Sequence, residues 1–207
     1  MINVITIDRE YGSGAADIAC KLAQRLGWKL WDQLLTEEIA RLANCPKAVV
    51  AVREERTDPL YYRLFKSFLR GSCEGSINAH KLNLVDSESI LKFTEKVVLH
   101  AAGKGNCVIV GRGSQYFLED RDDTLRVFLY APRREKVRRV MTRGKSETEA
   151  EELVDTVDHD RVAFIQKYFG VEWPTRCLYH LMLNTAVGED AVVRTILEFM
   201  QTLDARS

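Results

Sequence analysis

The stretch that most constrains this chain is its start. A short apolar, β-branched run, Ile2 to Ile7, ends at Asp8 and passes into the loop Arg9-Glu10-Tyr11-Gly12-Ser13-Gly14. Ile18, Ala19, Leu22, Ala23 and Leu26 then recur at helical spacing until Gly27, where the helix stops. Glycines at a strand-to-helix junction let backbone N–H groups converge on an anion, and the helix N-terminus adds partial positive charge. Strand, glycine loop and helix in that order also point to parallel topology.

The alternation continues. Trp28 to Trp31 reads as a second strand ending at Asp32, and Leu34, Leu35, Ile39 and Leu42 mark a helix. Ser87 can cap a helix through Leu99, closed near Gly103, before the buried strand Cys107 to Val110 with Gly111-Arg112-Gly113 at its end. Leu125 to Tyr130 is the next strand, followed by a basic helix, Arg133 to Arg143, a Gly-Lys-Ser break and a long charged helix from Glu147 to Tyr168. The last strand, His180 to Asn184, precedes a helix whose core face is Val192, Val193, Ile196, Leu197 and Met200. Five strands separated by helices predict an α/β fold with one parallel sheet, whose ligands bind at the carboxyl ends of the strands. Pro46 to Leu84 is helical but broken, with Leu60, Tyr61, Leu64, Phe65, Phe68 and Leu69 on one face and a polar stretch, Gly71 to Asn83, behind them. It reads as a helical insertion, 46–85, in a single domain with its core at 1–45 and 86–207.

A chain of 207 residues, 46% hydrophobic, can bury roughly 70% of its unfolded surface without a disulfide or a structural metal. Thirty Lys plus Arg balance thirty Asp plus Glu, which removes the strong field of a general nucleic-acid binder and leaves anion binding to local clusters. Cys20, Cys45, Cys73, Cys107 and Cys177 are odd in number and have no CxxC spacing, so they read as small buried residues in a reducing compartment. No apolar run reaches the roughly 18 residues of a membrane span. The expectation is a cytoplasmic protein that binds neither membrane nor, stably, nucleic acid.

The first loop fits two templates incompletely. In the phosphate-binding G-x-x-x-x-G-K-[ST], Gly14 is the second glycine, but Arg9 stands in the first position and Ala15 where Lys belongs. In the dinucleotide G-x-G-x-x-G/A, Gly12 and Gly14 match, Asp17 takes the last position, and Asp32 lies where a ribose-binding acid would. A tight turn without a ligand is the third reading. Arg112, between two glycines at a strand end, points to the crevice, with Arg133, Arg134, Lys136, Arg138, Arg139, Arg143 and Lys145 further on. Phosphoryl transfer needs such cations around oxygens that share charge. For Arg134 and Arg138 a solvated face beside the glutamates of the next helix is the simpler reading. Asp158 and Arg161, three apart, share one helix face as an ordinary ion pair would. His80, His100 and His159 have no ligand-spaced partners, so no metal site is expected.

Val4-Ile5-Thr6-Ile7-Asp8-Arg9-Glu10-Tyr11-Gly12-Ser13-Gly14, Trp31-Asp32-Gln33-Leu34-Leu35, Gly111-Arg112-Gly113, Asp158-x-x-Arg161 and Tyr179-His180-Leu181-Met182-Leu183-Asn184-Thr185 together resemble the cytidylate kinase-like family of P-loop proteins. The resemblance runs in order from Ile2 to about Met200. It implies a P-loop NTPase fold of the nucleoside monophosphate kinase type: a five-stranded parallel sheet, a helical NMP-binding insertion and a lid over 143–161. It further implies ATP and Mg2+ as cofactors and phosphoryl transfer to a nucleoside monophosphate or similar small phosphorylated acceptor. Arg9, Gly12, Ser13, Gly14, Ala15, Ala16 and Asp17 would wrap the ATP phosphates. Asp32, Arg112, Asp158 and His180 would face the acceptor, and Arg112, Arg139, Arg143 and Arg161 would act on the transferred group. Ala15 replaces the Lys of true cytidylate kinases, with Arg9 the nearest substitute. Gly113 replaces the acid after their Gly-Arg, and His180 replaces the common Asp of Tyr-Asp-Leu-x-x-Asn-Thr. Ala15, Ala16 and Asp17 motivate the alternative of a non-catalytic nucleotide-binding or regulatory module, and the spacing from Gly12 to Asp32 a less favoured one, a dinucleotide-binding oxidoreductase. Association into a homodimer stays open.

Overall fold

The computed structural model describes residues 1–43 and 87–205; the segment read as an insertion, 46–85, lies outside them with its aromatic stripe. Five strands, β1 (Val4–Arg9), β2 (Lys29–Trp31), β3 (Cys107–Val110), β4 (Thr124–Tyr130) and β5 (Leu181–Asn184), form one sheet in the order β2-β3-β1-β4-β5. Every pairing is parallel. β1 runs two residues past the apolar pattern because Asp8 and Arg9 keep pairing with Phe128 and Leu129 of β4. The ladder thus carries a carboxylate and a guanidinium into the buried centre of the sheet, where each needs polar partners.

Period-two alternation divides the core. Val4, Cys107 and Ile109 face α2 (Gln33–Ala43), α3 (Ser87–Lys104) and the end of α6 (Glu147–Phe169), where Leu35, Ile39, Val98, Phe164 and Ile165 are buried. Ile5, Ile7, Val108, Val110 and Val127 face α1 (Ala15–Leu26) and α7 (Glu189–Asp204), packing on Ile18, Leu22, Val193 and Ile196. A short helix that the sequence pattern missed, α4 (Ser114–Phe117), follows β3. α5 (Arg133–Met141) and α6 form a hairpin whose own small core, Val137, Val140, Ala150, Val154 and Val157, takes in Tyr11 from the first loop. Ser146 starts α6 with a capping box, accepting the Glu149 amide while the Glu149 carboxylate accepts the Ser146 amide.

Two expectations are corrected. β3, not β2, lies beside β1, so Asp32 ends a strand one place too far out for the acid of a dinucleotide fold, and that reading is set aside. Cys107 is buried, but Cys20 and Cys177 are exposed free thiols, because each falls on the outer side of its element. Among the described residues no helix is long and apolar enough to cross a membrane.

Candidate functional site

The loop after β1 is held in shape from behind. Ser13 gives its carbonyl oxygen to Arg139 Nη1 at 2.7 Å and to Thr185 Oγ1 at 2.6 Å, while Arg139 Nη2 donates to the Thr185 carbonyl at 3.0 Å. Gly12 (φ 75°) and Gly14 (φ 80°) are left-handed. A Cβ on Gly12 would meet the backbone of Lys136 at 3.0 Å, so α5 closes on the loop only because that residue is glycine. Gly14 precedes α1 without a side-chain cap, and the first turn of that 12-residue helix opens onto a cleft lined by Arg9 to Ala16, Arg143 and Arg161. The Ser13 hydroxyl is buried beside this cleft with no hydrogen-bond partner among the described residues.

The cleft's front is cationic. Arg161 is almost fully buried, and its Nη1 donates at 2.7 Å both to the Arg9 carbonyl and to Asp158 Oδ1. Asp158 also accepts the Tyr11 amide at 2.9 Å and pairs with Lys136 Nζ at 3.4 Å, which in turn lies 3.0 Å from Glu10. Asp158 therefore ties the loop to α6 as well as paired cations. Burial pushes its carboxyl up to about 6, against the opposing pull of Arg161 and Lys136. The Arg9 guanidinium falls to about 10 through burial and the nearby Arg161, with Asp32, Asp8 and Asp158 acting the other way.

Behind β3, Gly111 (φ 65°), Arg112 (φ 59°) and Gly113 (φ 68°) are three consecutive left-handed residues. A Cβ on Gly111 would fall inside the Arg9 guanidinium, so glycine is what lets that side chain lie there. A left-handed arginine costs about 1–2 kcal/mol, and the turn is paired with a buried charge: the Arg112 side chain is 1% exposed with Nη1 4.0 Å from Asp32 Oδ1. Burial, then Arg9, push Arg112 down to about 9.

Residues 4–187 match the family described as "Cytidylate kinase-like family". The chain belongs to the cytidylate kinase-like family. Its fold is that of the P-loop kinases, an α/β fold with a five-stranded parallel sheet flanked by helices. A protein of Eubacterium ventriosum ATCC 27560 superposes with TM-score 0.69 at 20% identity, over 97% of this chain and 99% of that one. Shikimate kinase of Acinetobacter baumannii, solved with shikimate, gives 0.54 at 16% identity over 98% and 94%. The Bacteroides thetaiotaomicron shikimate kinase gives 0.54 at 14% over 97% and 99%. None of the curated proteins matches.

In this cytidylate kinase-like chain the predicted residues fall into five places. Arg9, Gly12, Ser13, Gly14, Ala15, Ala16, Arg143 and Arg161 line one cleft, with Asp158 directly behind Arg161. Arg112 and Asp32 meet as a sealed pair beside Arg9. Arg139 sits behind the loop, and Asp17 lies at its outer edge, 61% exposed and 3.9 Å from Arg143 Nη2. His180 is not brought to the cleft. It stands before β5, at the opposite end of the strand from Asn184, with Nδ1 accepting the Arg126 amide at 3.0 Å; burial and Arg126 lower its pKa. Among the helix arginines, Arg138 pairs with Glu135 of its own helix, whereas Arg133 reaches Glu151 and Asp155 on α6.

Reading the sequence missed Asp8, which accepts from Gln115, Trp173 and Tyr179, and left Lys136 and Thr185 without roles. A charged residue at the end of an otherwise apolar strand was the available signal for Asp8.

Proposed function

We propose that this chain binds ATP with its magnesium and transfers the γ-phosphoryl group to a small phosphorylated acceptor of the nucleoside monophosphate class. The observation that carries the reading is the cleft itself: a glycine loop at the start of α1, the Ser13 hydroxyl, unpartnered among the described residues, and Arg9, Arg143 and Arg161 around one space. That donor set fits a polyphosphate, which offers many acceptor oxygens and distributed charge. Ala15 is buried where the motif has lysine, so in this reading the compensating charge comes from Arg9 and Arg161 across the cleft. Ala16 offers no hydroxyl, and among the described residues no three His, Cys, Asp or Glu gather as a metal cage. Magnesium therefore enters as part of the nucleotide substrate, where it neutralises phosphate charge.

The residues' work is positioning and charge neutralisation, with no covalent intermediate. Loop amides and Ser13 hold the phosphates, and Arg161 and Arg143 face the charge of the transferred group. The lid, 143–161, belongs to the hairpin of α5 and α6 that packs on Tyr11, and in this reading it excludes water. Arg112 and Asp32 shape the acceptor side, and their burial means that acceptor binding must open that pair.

A non-catalytic nucleotide-binding module is the second reading, favoured by Ala15, Ala16 and Asp17. A thermal-shift titration with ATP and magnesium, alone and with each common nucleoside monophosphate, followed by a transfer assay, separates the two. A melting temperature that rises with ATP and rises further with one monophosphate is expected, since selective binding stabilises by mass action. Binding without transfer to any acceptor selects the second reading, and no shift in folded protein overturns both.

A further inference from the structure

We infer that Trp173 is a positioning residue that fixes the Arg161 guanidinium against the first loop, with Asp8 as its anchor; the consequence for anion binding rests on the phosphate reading of the cleft. Asp8 is 2% exposed, and its carboxylate is saturated with donors. Oδ1 accepts the Arg9 amide at 2.9 Å. Oδ2 accepts Gln115 Nε2 at 2.9 Å, Trp173 Nε1 at 2.7 Å and the Tyr179 hydroxyl at 2.6 Å. Burial and the neighbouring Asp8 push the Tyr179 phenol far above its ordinary value, so it remains a donor.

The indole does more than fill space. Its edge meets Phe128 with ring centroids 5.5 Å apart, and its face lies 5.2 Å from Arg161 Cζ, within cation–π range. Arg161 is thereby bounded by an indole face, the Arg9 carbonyl and the Asp158 carboxylate. Both ends of this clamp are fastened to consecutive residues of β1: the indole N–H to the Asp8 side chain, the guanidinium to the Arg9 backbone. Arg161 is therefore registered to the strand that leads into the loop, although it comes from α6. The connection from α6 to β5 contains only the 3-10 turn Arg176–Leu178 as regular structure, so side-chain bonds such as those of Trp173 and Tyr179 set where it lies. An apolar filler would need no indole N–H aimed at a buried carboxylate.

The test uses the full chain labelled with 15N, with Trp173→Phe keeping an aromatic ring but no N–H, and Trp173→Leu removing both. The Arg161 guanidinium resonance is assigned by its loss in Arg161→Lys. Without ligand, Arg161 N–H exchange should be about tenfold faster in Trp173→Leu than in wild type and intermediate in Trp173→Phe. Unchanged exchange in the folded variants overturns the clamp; should Trp173→Leu not fold, Trp173→Phe decides, by its own exchange relative to wild type. In a second arm, affinity for ATP with magnesium should fall about tenfold in the same order. Unchanged affinity in a variant whose Arg161 has become mobile overturns the positioning role. A wild type that binds no ATP overturns the phosphate reading, while the ligand-free arm still decides the clamp.

Discussion

At Asp158 a carboxyl group lies beside Arg161 and Lys136 and still has its pKa raised to about 6, because burial outweighs both cations. The folded chain then holds a proton there at pH values where the unfolded chain, with an ordinary 3.8, has lost it. Since the folded state binds more protons, this residue's contribution to stability falls as pH rises from about 4 to about 6 and stays lost above that. Urea denaturation of wild type and Asp158→Asn across that range should show wild type losing about 1–3 kcal/mol relative to the variant. A flat difference would mean that the two cations win. At Gly111 the effect is steric. Gly111→Ala puts a methyl group where the Arg9 guanidinium lies and strains a left-handed backbone. We expect a loss of about 1–2 kcal/mol of stability by calorimetry and of about ten- to a hundredfold in ATP affinity by titration calorimetry, as a charged hydrogen-bonding group is displaced. Position alone singled out the loop glycines and the arginines at strand ends as candidates for anion binding, and it is these that the cleft brings together in part, as Arg9, Gly12 and Gly14. Asp8 and its three side-chain donors were not, since Gln115, Trp173 and Tyr179 belong to segments whose spacing along the chain carries no trace of that meeting.

The element that organises the cleft is α6. One face buries Val154, Val157, Phe164 and Ile165, joining the hairpin core near its start to the sheet core near its end, and between them it presents Asp158 and Arg161 to the loop. Its start depends on the Ser146 and Glu149 capping box, several turns from Arg161. Ser146→Ala should cost about 1 kcal/mol by equilibrium denaturation and leave ATP affinity within about twofold, because the cap lies on the far end of the helix. A large affinity loss would show that the hairpin turn itself takes part in binding. The charged pattern of this helix concealed its role. By spacing alone Asp158 and Arg161 read as an ordinary helix ion pair, and only the packing of α6 across the loop turns that pair into a partly buried tie between helix and loop.

Across the whole molecule, the placement of β1 between β3 and β4 puts the loop at the centre of the sheet's carboxyl edge, so cations from β1, from the turn after α5 and from α6 converge on it. Native-state hydrogen exchange should find the slowest amides in β1 and its neighbours and faster ones in the edge strands β2 and β5, with the loop amides slowing when ATP is added. Uniform protection across the five strands would contradict this ranking. By itself the sequence determined the five parallel strands, the helices between them, the glycine turns at the strand ends and the family, because these depend on local periodicity and on residues contiguous in the chain. Which face His180 would serve, that Arg139 braces the loop from behind, that Arg112 is sealed against Asp32 and that Trp173 reaches Asp8 were decided only by the tertiary structure. Those relations join residues far apart in the chain, and the order of the strands and the packing of α5 and α6 set which of them meet.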